Sequence, residues 1–363
     1  MIIGISVTFT LVIIGFLVKK SKFLFFIQCL WIWILTGFNN GGIDFESNKE
    51  IFFATGKTIE IGNTGYCDFL LSVYWHNMRW DYSSYVLFMS SVAIILLSYT
   101  VIKSTKYVCL PMSMFMLGFL VDSVIQKRFY IAMCFVLLAF YYRYKSETIS
   151  FFVVLILALG FHFSSLLYFF IPLMEFLIIK KRKKYIVLFL VIEFLVFRYF
   201  PIIVTRLSLG IVSTKLDSYM YTQTYSSVGV GIIFLMLQLT YILIVMYIEK
   251  WWNFKSKNKD INMFIMDNNR LSVLLLPLLL IGATFSRYFR VFQIYNFSLI
   301  ANRMNLQEQH RKKLSYNLCY VFIILVFVST LILQIKGEYG IKAYYETVFA
   351  NNAVLDIFNQ VVR

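Results

Sequence analysis

The chain has 363 residues, of which 60% are hydrophobic and only 14% charged, and its mean hydropathy is +0.75. That much apolar surface exceeds what a soluble domain can cover, which points to an all-α, polytopic integral membrane protein. The net charge of +16 would suit a nucleic-acid binder, but it is spread in short clusters between apolar runs, as membrane topology dictates, so no nucleic acid is expected as a partner.

The first apolar run, 2–18, is followed by Lys19, Lys20 and Lys22 and then at once by a second run, 23–38. No small-residue cleavage site separates them, so the first reads as a retained span and not a signal peptide. Basic clusters recur at Lys103 and Lys106, at Arg143 and Lys145, and over 180–184, 250–270 and 303–313. Placing all six clusters in the cytoplasm puts 21 of the 34 Lys and Arg inside and 11 of the 18 acids outside, which satisfies the positive-inside rule. About twelve segments follow: 2–18, 23–38, 84–102, 107–122, 129–142, 149–161, 165–179, 185–200, 229–249, 271–285, 290–302 and 315–334. They form a single transmembrane domain, 1–335, with outer loops 39–83 and 201–228, an inner loop 250–270 and an outer-face tail, 336–363. Both termini then lie outside. The inner loop carries no glycine-rich phosphate loop, which argues against an ATP-driven pump. Cys29, Cys67, Cys109, Cys134 and Cys319 lack metal-like spacing, and neither a disulfide framework, a metal site nor a cofactor is expected.

Three apolar stretches, 107–142, 149–179 and 271–302, are broken near the middle by Gln126, Lys127 and Arg128, by His162, and by Arg287 with Arg290. A basic cluster at each end requires an even number of crossings, so each stretch is a hairpin with legs of about 13–17 residues, at or below the ~17–25 of a full span. Charge inside such a segment is costly and marks a functional site by default.

Four groups of residues carry the candidate chemistry. In the first outer loop, Gly41 and Gly42 lead to Asp44 and Glu46, and then to Gly65 and Tyr66. Asp44 is placed to act as general base or to accept from sugar hydroxyls, and Glu46 and Tyr66 to bind sugar; the structural reading is a glycine turn with solvated acids. At the first tip, Asp122 and Gln126 stand four residues apart beside Lys127 and Arg128. The arginine fork matches the paired oxygens of a diphosphate, against a reading in which Lys127 and Arg128 snorkel to headgroups. His162 is the histidine within an apolar stretch, either a proton handler or a packed, hydrogen-bonded ring. Arg287, Arg290 and Gln293 would share one helix face. Arg206 and Tyr219 in the second outer loop are candidate substrate contacts or part of an interfacial aromatic belt.

The order of these motifs, Gly42-Ile43-Asp44, Gly65-Tyr66, Gln126-Lys127-Arg128, His162-Phe163-Ser164 and Arg287-Tyr288-Phe289, resembles the EpsG-type branch of the Wzy-like bacterial polysaccharide polymerases over about residues 1–330. The family's hairpin motif often has arginine before glutamine, whereas here Gln126 precedes Arg128. The resemblance implies a metal-independent glycosyltransferase of the bacterial plasma membrane with its active site on the outer face. Its donor and acceptor would be undecaprenyl-diphosphate-linked oligosaccharides, the growing chain passing to the non-reducing end of a new repeat unit, with membrane lipid and a chain-length regulator as further partners. The rival functions are a lipid-linked oligosaccharide flippase, a membrane acyltransferase, or another polyprenyl-phosphate-dependent glycosyltransferase. A flippase should show central cations and internal repeats, neither of which is evident.

Overall fold

The computed structural model describes residues 1–42, 44–55, 65–179, 191, 192, 195, 228–250, 261–280, 283–305, 313–336 and 340–361. Among these residues every regular element is helical, the β pairing being an isolated bridge between Asn39 and Asn352. Among the described residues, three helices are long and apolar enough to cross a membrane by length and composition: Tyr82–Ser104, Gly229–Ile248 and Ile261–Leu280. The chain divides into two compact units, one of Met1–Leu166, Phe297–His310 and Ile323–Arg363, the other of Leu167–Asn296 and Arg311–Phe322.

The first unit opens with α1 (Ile2–Leu17) and α2 (Lys22–Gly37). The Ser21 hydroxyl accepts the Leu24 N–H at 3.1 Å and so starts α2. Among the apolar faces, the fully buried Gln28 donates to Leu11 O (3.2 Å) and to Ser113 Oγ (3.0 Å), an interhelical link of the kind that holds helices together in lipid. The expected outer loop 39–83 is in fact largely helical, containing α3 (Phe45–Thr55) and α4 (Tyr66–Asn77). In α4 the buried side chains Asp68, Ser72 and Trp75 recur at helical spacing. The long α5 (Tyr82–Ser104) starts at Asp81, whose carboxylate accepts the Ser84 N–H at 3.0 Å.

The stretch 107–142 breaks at Phe119 and again at Gln126, giving α6 (Cys109–Gly118), α7 (Leu120–Ile125) and α8 (Lys127–Tyr144). A short turn then leads to α9 (Thr148–Phe161), which packs along α8 and ends at His162, where the backbone becomes extended before a 3₁₀ run, Phe163–Phe170. The breaks at Gln126 and His162 fall at the polar residues that interrupt the apolar runs, whereas the one at Phe119 does not.

The tail 336–363 carries two helices, Gly340–Phe349 and Ala353–Val361, that dock on the first unit. Asn39 donates to Thr347 O at 2.6 Å, and Asn40 N–H to Asn351 O at 2.9 Å. Gly42 stands at φ +113°, where a β-carbon would also collide with Thr347, so this turn needs glycine twice over. Asn352, fully buried, donates to Ile34 O (2.9 Å) while its carbonyl accepts from Val354 N and Leu355 N. Asn352→Ala is therefore expected to cost about 1–3 kcal/mol, read as a lower melting temperature in detergent; an unchanged melt would refute the docking.

The second unit contains α10 (Ile171–Ile179), a helix Val228–Lys250, and a helix Ile261–Leu271 that runs straight into the 3₁₀ segment Ser272–Leu280. Within the expected inner loop 250–270 the described part, 261–270, is helical and partly buried because Ile265, Met266 and Leu271 face the unit's core. The third stretch breaks as expected near its middle, where the 3₁₀ turn Ala283–Tyr288 precedes the helix Phe289–Met304. The expected segment 185–200 and outer loop 201–228 lie almost wholly outside the described residues.

Candidate functional site

The first hairpin tip meets the loop helices at a narrow cleft in the first unit. Its walls include Phe52 of α3, Asp68 of α4, Tyr82 and Tyr85 of α5, and Lys127 and Arg128 of α8. Arg128 Nε lies 3.1 Å from Asp68 Oδ2, and the Tyr85 hydroxyl donates to Asp68 Oδ1. Both carboxylate oxygens are thus engaged, and Asp68 acts as the anchor that fixes Arg128 and Tyr85. Burial pushes the Asp68 carboxyl above its ordinary range, while the Arg128 guanidinium and the Tyr85 hydroxyl pull it back down. The Lys127 ammonium donates to Asn39 O at 3.3 Å and lies 4.8 Å from the centre of the Phe45 ring.

His162 stands one residue's width from this cleft: its ring meets the edge of Phe129, the residue after Arg128, with centroids 5.6 Å apart and planes at 86°. Ser164 Oγ is 2.6 Å from His162 Nδ1, and the Ser164 N–H donates to the same atom at 3.2 Å. A backbone N–H can only donate, so Nδ1 is an acceptor and neutral His162 carries its proton on Nε2. Two glycines bring this corner against α4. A β-carbon on Gly65 would overlap the Gly160 carbonyl, and one on Gly160 would overlap the Cys67 sulfur. The Gly65-Tyr66 and His162 motifs, about a hundred residues apart, are therefore neighbours.

Other expected site residues sit differently. Asp44 and Glu46 are exposed, Glu46 pairing at 3.7 Å with Lys49 on the outside of α3, and neither lines the cleft. Tyr66 is exposed at the start of α4. Asp122 and Gln126 are half-buried on either side of the α7 end, linked by the Gln126 N–H to the Asp122 carbonyl. In the second unit Arg287 and Arg290 are half-buried around the join between the 3₁₀ turn and the following helix. Gln293, an expected substrate contact, is buried and donates to Gln238 Oε1 at 2.7 Å, so it ties two helices together. Arg206 and Tyr219 lie outside the described residues.

Tyr82 and Tyr85 are not among the expected site residues, and Asp68 reads from the sequence only as a further acid of the first outer loop, in a surface suited to carbohydrate. The available signal was the Asp68, Ser72, Trp75 spacing, which makes an amphipathic helix with its acid on the buried side. Among the described residues, no three His, Cys, Asp or Glu side chains come together as a metal site.

Apolar helices and a cleft lined by a buried acid–arginine pair beneath two loop helices define a helical membrane protein with a charged site. The chain belongs to the EpsG family: the family model matches residues 22–345, a span that includes every wall of the cleft. The likeness drawn from motif order is borne out by that match. No curated protein and no solved structure matches the chain. Membership makes it a polysaccharide-polymerase-like membrane protein of glycosyltransferase type.

Proposed function

We propose that this protein is a polysaccharide repeat-unit polymerase, a metal-independent glycosyltransferase with about twelve spans in the bacterial plasma membrane and an outer-facing active site. It transfers a growing glycan from undecaprenyl diphosphate to the non-reducing end of another undecaprenyl-diphosphate-linked unit. The acceptor hydroxyl oxygen bonds to the anomeric carbon, the bond from that carbon to the diphosphate oxygen breaks, and the lipid diphosphate leaves with the electron pair. The hydroxyl proton passes to a general base.

The observation that carries this reading is the cleft of an EpsG-family chain in which Asp68, itself bonded by the Tyr85 hydroxyl, holds Arg128 in place. Loss of a diphosphate needs positive charge at the departing oxygens, and a fixed guanidinium supplies it without reorganisation, worth several kcal/mol in a water-poor pocket. Arg287 and Arg290 are assigned the same neutralising role. The general base is proposed to be Asp44 or His162: Asp44 stands exposed outside the cleft, and His162, whose Nδ1 is engaged by Ser164, would act through Nε2. Tyr66, Glu46, Asp122 and Gln126 are proposed sugar contacts, and Arg206 and Tyr219 are retained on the second outer loop.

The test replaces Arg128 by Lys and, separately, Arg287 by Ala in the native host and sizes the surface glycans. Single-repeat-unit glycans should persist while long chains vanish. Normal chain lengths from well-expressed variants would sink the reading, and loss of all surface glycan would favour a flippase.

A further inference from the structure

Arg128 and Lys127 are consecutive, line the same cleft and carry the same charge, yet their surroundings differ. Arg128 is matched by the buried Asp68 carboxylate at 3.1 Å. Lys127 has none: among the described residues no carboxylate lies within ion-pair distance of its ammonium, which is met by one backbone carbonyl and the face of Phe45. One N–H of three is used, so two remain to be directed at a ligand.

Enclosing an ammonium without a counter-charge is costly, and the cost falls when an anion enters beside it. Local preference makes the placement more telling. Lys127 and Arg128 form the first turn of α8, whose N-terminal residue Gln126 makes no side-chain cap bond, and cations are disfavoured at the positive end of a helix dipole while anions are favoured. Burial lowers the pKa of the Lys127 ammonium to about 7, so the cation of the cleft that no described carboxylate matches is one that an entering anion would hold protonated.

We infer that Lys127 is a further oxyanion-binding residue of the cleft, taking a phosphate oxygen beside the Arg128 guanidinium that Asp68 positions. The identity of that oxyanion as the lipid diphosphate rests on the proposed function; the anion site itself does not.

Calorimetric titration of the full chain in phosphatidylcholine nanodiscs with inorganic pyrophosphate, and then with farnesyl diphosphate, tests this. Lys127→Met should weaken both by about tenfold or more, and Lys127→Arg should bind within a few-fold of the parent. Lys127→Gln, which keeps a donor for the Asn39 carbonyl, serves as a second variant with the same expected loss should the Met variant fail to fold. Pyrophosphate binding equal to the parent in a folded Met or Gln variant would overturn the inference. Nanodiscs of phosphatidylglycerol separate the two sources of phosphate: retained diphosphate binding supports the lipid diphosphate, and competitive loss assigns the site to a headgroup and overturns that identity. Because the titration reads no polymer, a Lys127-dependent anion site together with normal chain lengths in Arg128→Lys would defeat the polymerase reading alone.

Discussion

Asp68→Ala is expected to cost about 3–5 kcal/mol of folding stability, the range found when one member of a buried ion pair is removed. Asp68 is 2% exposed and both of its oxygens are engaged. Its loss removes the carboxylate that both the Arg128 guanidinium and the Tyr85 hydroxyl engage. The check is unfolding in detergent micelles, compared with the double variant Asp68→Ala/Arg128→Met. The double variant should recover part of the loss, because it removes the stranded charge as well. A single variant that melts with the parent would mean that the pair contributes nothing and that Arg128 is not held by it.

The second large effect is steric. Gly65→Ala is expected to exceed the ~1–3 kcal/mol of ordinary overpacking, since the added methyl group would meet the Gly160 backbone, which no rotamer change can move aside. Gly160→Ala should be milder, because the nearest obstacle is the Cys67 side chain, and Cys67→Ala should partly rescue it. Folded yield and melting temperature read the cost, and surface-glycan length reads the displacement of His162. Parent-like behaviour of Gly65→Ala would show that α4 and the His162 corner do not approach as closely as the structure has them.

The helical architecture and the breaks in the apolar runs were legible because each has a local cause. Gln126 and His162 interrupt runs that would otherwise continue, and the chain breaks at those residues. The turn at Gly42 was legible too, as a glycine pair ahead of acids. What local reading missed is pairing across distance. Asp68 and Arg128 are 60 residues apart, and nothing near either one announces the other. Gln293 read as the next step of a polar stripe, but its partner, Gln238, lies 55 residues away on another helix. Glu46 and Asp44 drew attention as acids beside glycines, yet α3 turns its apolar residues Phe45 and Phe52 inward and leaves those acids outside. The stretch 39–83 reads as an outer loop because it lies between two apolar runs; helix α4 forms within it with Asp68, Ser72 and Trp75 spaced to be buried together.

The most direct measurement of the central claim is polymerisation by the purified protein in vesicles supplied with undecaprenyl-diphosphate-linked repeat units, with products sized on a gel. The parent should give a ladder of repeat units. Arg128→Lys, melting within a few degrees of the parent, should lose at least about a hundredfold of that activity. An undiminished ladder from folded Arg128→Lys would contradict the assignment of the Asp68–Arg128 cleft as the site of glycosyl transfer.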